Sequence, residues 1–149
     1  MKINFKLFGF LAVSFVLLFL AGVAPVPAAT PNVSLTTPVV VVPLQLSGQY
    51  TADGTAVAKF TMPFPARVLG ITMTAQASGG TTPTLAIDVK EGSSSILTAP
   101  TAITAGAVAN AAIADYQLAD EAVVTVNLDL GGTNPTWDNI TILMTLART

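Results

Sequence analysis

From Thr84 onward, apolar and polar residues alternate in three runs. In Thr84-Leu-Ala-Ile-Asp-Val-Lys90, Leu85, Ile87 and Val89 fall on one side, and Thr84, Asp88 and Lys90 on the other. In Ala122-Val-Val-Thr-Val-Asn-Leu-Asp-Leu130, Val124, Val126, Leu128 and Leu130 oppose Thr125, Asn127 and Asp129. In Ile140-Thr-Ile-Leu-Met-Thr-Leu146, Ile140, Ile142, Met144 and Leu146 oppose Thr141 and Thr145. A period of two is the signature of a strand with one face in a core and the other in water. These runs predict the wall on which the rest of the domain packs.

Shorter strands precede the wall. Val39–Leu46 opens the domain with four consecutive valines, and Pro43, which lacks a ladder donor, marks it as an edge strand. Tyr50–Thr55 reads as a turn, with Asp53-Gly54 supplying residues that tolerate positive φ. Val57–Met62 and Val68–Ala75 are the next strands, joined by the rigid corner Pro63-Phe-Pro65. Ser78–Pro83 reads as the loop closing that pair, and Gly131–Thr136 as a loop reaching Trp137. Glu91–Ser95 turns into a short run at Ile96–Thr98. Ala99–Ala114 predicts irregular chain, with a short helical turn over Val108–Ala114. No period of 20–50 residues repeats, which excludes solenoids and propellers. Seven or eight short strands predict an all-β domain over residues 39–149, an antiparallel β-sandwich of jelly-roll type.

The N-terminus is a different material. Met1–Lys6 carries two lysines, and Leu7–Ala24 is then free of charge. Small residues around Ala24-Pro-Val-Pro-Ala-Ala29 follow, and residues 29–38 form a Pro/Thr-rich linker. A basic start, an apolar run and small residues are the order of a secretory signal peptide. As a helix, the run would reach about 27 Å, close to a bilayer core. Residues 1–28 therefore fit a cleaved signal, a membrane anchor through Leu7–Ala24, or an apolar arm buried in an assembly.

Composition narrows the chemistry. The 149 residues include no Cys and no His, so disulfide staples, the commonest general base and the imidazole metal ligand are all missing. Beyond the N-terminal segment, four basic residues (Lys59, Arg67, Lys90, Arg148) stand against eight acids. Such a balance gives no footprint for a phosphate backbone, which argues against nucleic acid. Only 9% of residues are charged, against roughly a quarter in an ordinary soluble domain. Weakly polar Thr, Ala, Ser and Val surfaces are easily desolvated, which suits a protein that lives against copies of itself.

Candidate sites are few. A Ser–Lys nucleophile would need Lys59 or Lys90, both at outward strand positions. Asp88 with Glu91, or Asp120 with Glu121, could supply the two carboxyls of glycoside hydrolysis. Asp53, Asp115, Asp120, Glu121, Asp129 and Asp138 lie near loops, where calcium is often held, without the order of a calcium loop. Trp137, Tyr50, Tyr116 and Phe64 are candidate stacking rings for sugar, or plugs of a sandwich end. Asn32-Val-Ser34 and Asn139-Ile-Thr141 match the glycosylation pattern. No cofactor is expected. For contact with a partner protein, the candidates are Val39, Val41, Phe64 and Trp137.

Phe64-Pro-Ala-Arg-Val-Leu-Gly-Ile71, Leu85-Ala-Ile-Asp-Val-Lys-Glu-Gly92 with Ser95-Ile96, and Val124-Thr-Val-Asn-Leu-Asp-Leu-Gly-Gly132 with Asn139-Ile-Thr-Ile142 together resemble small β-sandwich domains of tailed-bacteriophage virions. These are head-decoration or cement proteins, head fibres and tail adhesins. The resemblance covers about residues 39–149 and carries no catalytic signature. It implies a non-enzymatic structural protein that forms oligomers, often trimers, on a capsid or fibre protein in the virion. The N-terminal segment departs from that pattern. The competing expectation is a secreted or membrane-anchored bacterial surface module, with carbohydrate as its ligand class.

Overall fold

The computed structural model describes residues 37–149 with the exception of Asp115. The apolar segment 1–28, linker residues 29–36, the Asn32 glycosylation pattern and the calcium candidate Asp115 lie outside the described residues. Within them the chain is all-β, antiparallel and without a helix. No helix there is long and apolar enough to cross a membrane.

Two very long strands carry the domain. β3 (Ala66–Glu91) and β8 (Val123–Arg148) each run for 26 residues and pair antiparallel from Ala66↔Arg148 to Glu91↔Val124. All three alternating runs lie on this ribbon. β1 (Val39–Tyr50) and β2 (Gly54–Thr61) pair with opposite ends of β8. Four short strands line the other side of β3: β4 (Ser94–Ser95), β5 (Thr101–Ile103), β6 (Val108–Asn110) and β7 (Gln117–Leu118).

The expected loops at Ser78–Pro83 and Gly131–Thr136 are not loops. They are the midpoints of β3 and β8, where two register irregularities, between Gly79 and Thr81 and between Thr81 and Thr84, mark a bend shared by both strands, with pairing on either side. Gly79-Gly-Thr-Thr-Pro-Thr84 lies antiparallel to Gly131-Gly-Thr-Asn-Pro-Thr136, one pattern used twice, with Thr81↔Thr133 and Thr84↔Gly131 paired. Gly80 (φ +98) and Gly132 (φ +106) are left-handed, followed two residues on by Thr82 (φ 48) and Asn134 (φ 49). A Cβ on Gly80 would sit 2.3 Å from the Asn134 carbonyl oxygen, and one on Gly132 would sit 2.5 Å from that of Thr82. Only glycine admits that approach of backbone to backbone.

The bend divides the ribbon into two arms. The first holds β1, residues 140–148 of β8, residues 66–75 of β3, β6 and β7. The second holds β2, residues 123–130 of β8, residues 84–91 of β3, β4 and β5. Ile71, Met73, Ile140, Ile142, Met144 and Leu146 from the first arm join Leu85, Ile87, Val89, Val124, Val126 and Leu128 from the second in one core. Each large apolar side chain so buried contributes roughly 1.5–3 kcal/mol, and together these outweigh local propensity.

Two further expectations change. The helical turn over Val108–Ala114 is instead β6 and the bridge Leu97↔Ile113, because β3 offers this Ala-rich segment an unfilled ladder. Ala111 N–H donates to the Ile71 carbonyl (2.9 Å) and Gly106 N–H to that of Ala75 (2.8 Å). After β1, positive φ falls on Ala56 (52°), inside β2 at its irregularity between Gly54 and Ala58, rather than on Asp53-Gly54. Asp53 Oδ1 instead accepts the Leu130 N–H at 2.7 Å, and Asn127 Oδ1 accepts that of Ala56 at 2.8 Å.

Replacing Gly80 or Gly132 by Ala is expected to lower stability by about 2 kcal/mol or more, through strain and collision together. Gly92, also left-handed but with nothing within 4 Å of its would-be Cβ, should cost only about 1 kcal/mol as Gly92→Ala. Urea midpoints of the three variants check the ranking.

Candidate functional site

Asp88, Glu91 and Asp120 are each engaged locally. Asp88 accepts the Ser95 hydroxyl at 2.5 Å and lies 3.5 Å from Lys90 Nζ. Glu91 accepts the Tyr116 hydroxyl. Asp88 is paired with Asn127 on the outward side of the ribbon, whereas Glu91 is paired with buried Val124. The two carboxyls therefore leave the strand on opposite faces, away from the facing geometry that glycoside hydrolysis needs. Asp120 accepts the N–H of Glu121, an exposed left-handed residue in the turn before β8. Among the described residues no three Asp or Glu side chains converge as a metal group would require.

Trp137, a candidate for partner or sugar contact, is buried, and its position overturns that expectation. Its side chain is 2% exposed, paired between Tyr50 of β1 and Ser78 of β3, and its indole has no free face. β8 continues straight through the bend, which carries Trp137 into the core instead of onto a loop. Its Nε1 is buried without a hydrogen-bond partner in the protein. Phe64 is half-buried, with the Arg148 guanidinium 5.2 Å above its ring. Tyr50 and Tyr116 are half-buried as well.

Asn139 has a structural task. Its φ is 48°, its Nδ2 donates to Gln76 Oε1 at 2.7 Å, and its Oδ1 accepts the Gly48 N–H at 3.1 Å. It thereby clamps the irregularity between Leu46 and Gln49 of β1.

What the sheet leaves outside differs sharply between the arms. On the second arm, pairing aligns Lys59, Thr125, Lys90 and Ser95 in one outward row. Asn127 with Asp88, and Asp129 with Ala86, make the next two. On the first arm the outward rows are Val39, Ala147 and Arg67; Val41, Thr145 and Gly70; and Pro43, Leu143 and Thr72. Gln45, Thr141, Thr74 and Val108 make the fourth row. Arg67 is the one ionisable residue in these four rows. All the exposed large apolar residues of the described chain, Val39, Val40, Val41, Leu69, Val108 and Leu143, belong to this arm.

Val39 and Val41 were legible as candidates. Leu143 occupies an outward position of an alternating run that otherwise holds Thr there, a signal present in Ile140–Leu146. Leu69 is exposed because a bulge between Val68 and Gly70 inserts one extra residue. Two adjacent apolar residues before a glycine are the only trace of it in the sequence. Val108 sits in the Ala-rich segment, where no period marked a face.

No family model, curated protein or solved structure matches this chain.

The Tyr116 phenol is pushed up to about 12, first by its hydrogen bond to Glu91, then by burial and by the Glu91 charge. A raised folded-state value means that the stabilisation is complete below pH 10 and lost as pH climbs toward 12. Tyr116→Phe is expected to lower stability at neutral pH by roughly 1 kcal/mol and to flatten the alkaline limb. Urea midpoints between neutral and alkaline pH give both readings; an unchanged alkaline limb would contradict the assignment.

Proposed function

We propose that this chain is a non-enzymatic structural protein that works by self-association. Its domain is an antiparallel sandwich of jelly-roll type, whose two layers are the arms of the bent ribbon. The observation that supports this reading is the outward surface of the first arm. Val39, Val41, Val108 and Leu143 are 58%, 54%, 68% and 39% exposed on a sheet surface whose sole ionisable residue is Arg67. Clustered exposed apolar side chains on a flat sheet mark an interaction surface. A charged outer layer on one side and a nearly uncharged one on the other suits a subunit that shows water one face and its neighbours the other.

The virion setting follows from the strand-and-turn resemblance of residues 39–149 to phage decoration and fibre domains. A low-charge, cysteine-free sheet protein is compatible with it. The chain's chemistry on this reading is packing alone: apolar area and main-chain bonds, with ion pairs contributing little.

Size-exclusion chromatography with light scattering on the full chain is expected to show multimers whose stability changes little as salt rises. Leu143→Lys combined with Val108→Lys should shrink them by breaking the contacts made through this face. The folded subunit's own stability should stay within about 0.5 kcal/mol, since both positions face outward. A monomer at every concentration, or multimers that fall apart in salt, would defeat the reading.

A further inference from the structure

β1 ends the sheet: among the described residues it pairs with β8 and with no strand on its other side. The Arg148 N–H donates to the Pro38 carbonyl at 3.1 Å, and the register continues from there as Val39↔Ala147 and Val40↔Leu146. In an antiparallel ladder, the N–H and C=O of one residue point to the same side, and successive residues alternate. Val40, Val42 and Leu44 therefore aim their main-chain groups at β8. Val39, Val41, Pro43 and Gln45 aim theirs at the open edge. Pro43 costs β8 no donor; the N–H it lacks would have pointed outward.

Exposed edges are usually guarded by lysine, by inward charges or by covering chain. Residues 37–50 contain no charge at all. The side chains at the outward-bonding positions, Val39 and Val41, are more than half exposed. Asp53, Asp88, Glu91, Asp120, Glu121 and Asp129 lie on the second arm and its turns, and Asp138, the one acid paired with β1, stands opposite Gln49 near the bend, eight residues from Val41. Two copies approaching by β1 thus bring no like charges together, whereas a strongly charged partner would find nothing to pair with.

We propose that the open edge of β1 pairs antiparallel with β1 of a second copy, across a two-fold axis at Val41. This rests on the self-association reading and names its contact. Val41 then exchanges both main-chain bonds with the partner's Val41. The Val39 N–H donates to the partner's Pro43 carbonyl, and only the donor that Pro43 lacks is missing. Centring the axis on Pro43 would place two donorless residues opposite each other, so Pro43 selects the valine half of the strand. The pairing joins the two first arms into one continuous sheet and doubles an outer face whose one ionisable residue per copy is Arg67. A two-fold contact closes on itself and yields dimers or even-numbered assemblies, in place of the trimers that the phage resemblance implies.

The chain has no cysteine, so a single Val41→Cys in the full-length protein reports the contact cleanly. Directly bonded strand neighbours stand ~5.5 Å apart at Cα, within disulfide reach. Val41→Cys is expected to cross-link into covalent dimers under mild oxidation at dilution. Val108→Cys, more exposed and on the same face but in β6, at the opposite edge from β1, should not. Val41→Pro removes only an outward N–H and is expected to weaken dimerisation roughly tenfold or more. Trimers, equal cross-linking through Val108, or Val41→Pro dimers of unchanged affinity would overturn the edge pairing and leave self-association standing. A monomeric parent chain would overturn both.

Discussion

Gly80 and Gly132 approach the Asn134 and Thr82 carbonyls so closely that neither has room for a Cβ. That mutual contact lets two 26-residue strands bend at the same point and stay paired on both sides of the bend. A single strand that bends leaves unpaired polar groups on its neighbour, which is costly where the neighbour is buried. Here the neighbour bends identically, because it carries the same six-residue pattern in the reverse direction. Gly79 faces Thr136 and Gly131 is paired with Thr84, so each strand supplies the space that the other's threonine needs. The bend brings the inner faces of both arms into one core, and every other element attaches to a β3 or β8 edge that the bend has already placed.

The alternation of Leu85–Val89, Val124–Leu130 and Ile140–Leu146 was sufficient to predict inward and outward sides, and each inward residue but Leu130 is fully buried. Burial of apolar area is a property of each strand alone, so one strand's pattern reveals it. The bend was not legible in the same way. Gly-Gly-Thr-x-Pro is a turn signal when read singly. Only its recurrence in an antiparallel partner converts a loop signal into a kink between two paired stretches of the same strands. The same misreading displaced Trp137: as a loop aromatic it looked available, but as the residue after a mid-strand bend it is core. The Ala-rich segment 99–114 failed for a different reason. Its residues have no strong preference for strand, and the open side of β3 decides their conformation.

Why the arms diverge follows from the same ribbon. Both bury comparable apolar faces, so their inner chemistry is interchangeable, and the difference lies wholly outside. On the second arm Lys59, Lys90, Asp88 and Asp129 stand over strands whose polar partners Asn127 and Ser95 hold neighbouring chain in place. On the first, threonines and valines alternate, with Arg67 the one charge in the outward rows. Thr72 Oγ1 and Asn110 Oδ1, 3.1 Å apart, are bonded to each other, so even the polar atoms of this face partly satisfy themselves. A face that has spent its hydrogen bonds internally is easier to dehydrate than one that offers them to water.

The position of Pro43 sharpens that difference. Had it fallen one residue earlier or later, its missing donor would have weakened the ladder to β8, where a buried carbonyl would pay the cost. Placed where it is, it leaves β1 fully bonded inward and interrupts only the outward edge. An interrupted edge cannot template indefinite strand addition, but Val39 and Val41, N-terminal to the proline, still offer both donor and acceptor to the open side. The edge is therefore restricted in length and in register rather than closed. Limited, uncharged and self-complementary in the antiparallel sense, it has the properties that separate a finite assembly from a fibril.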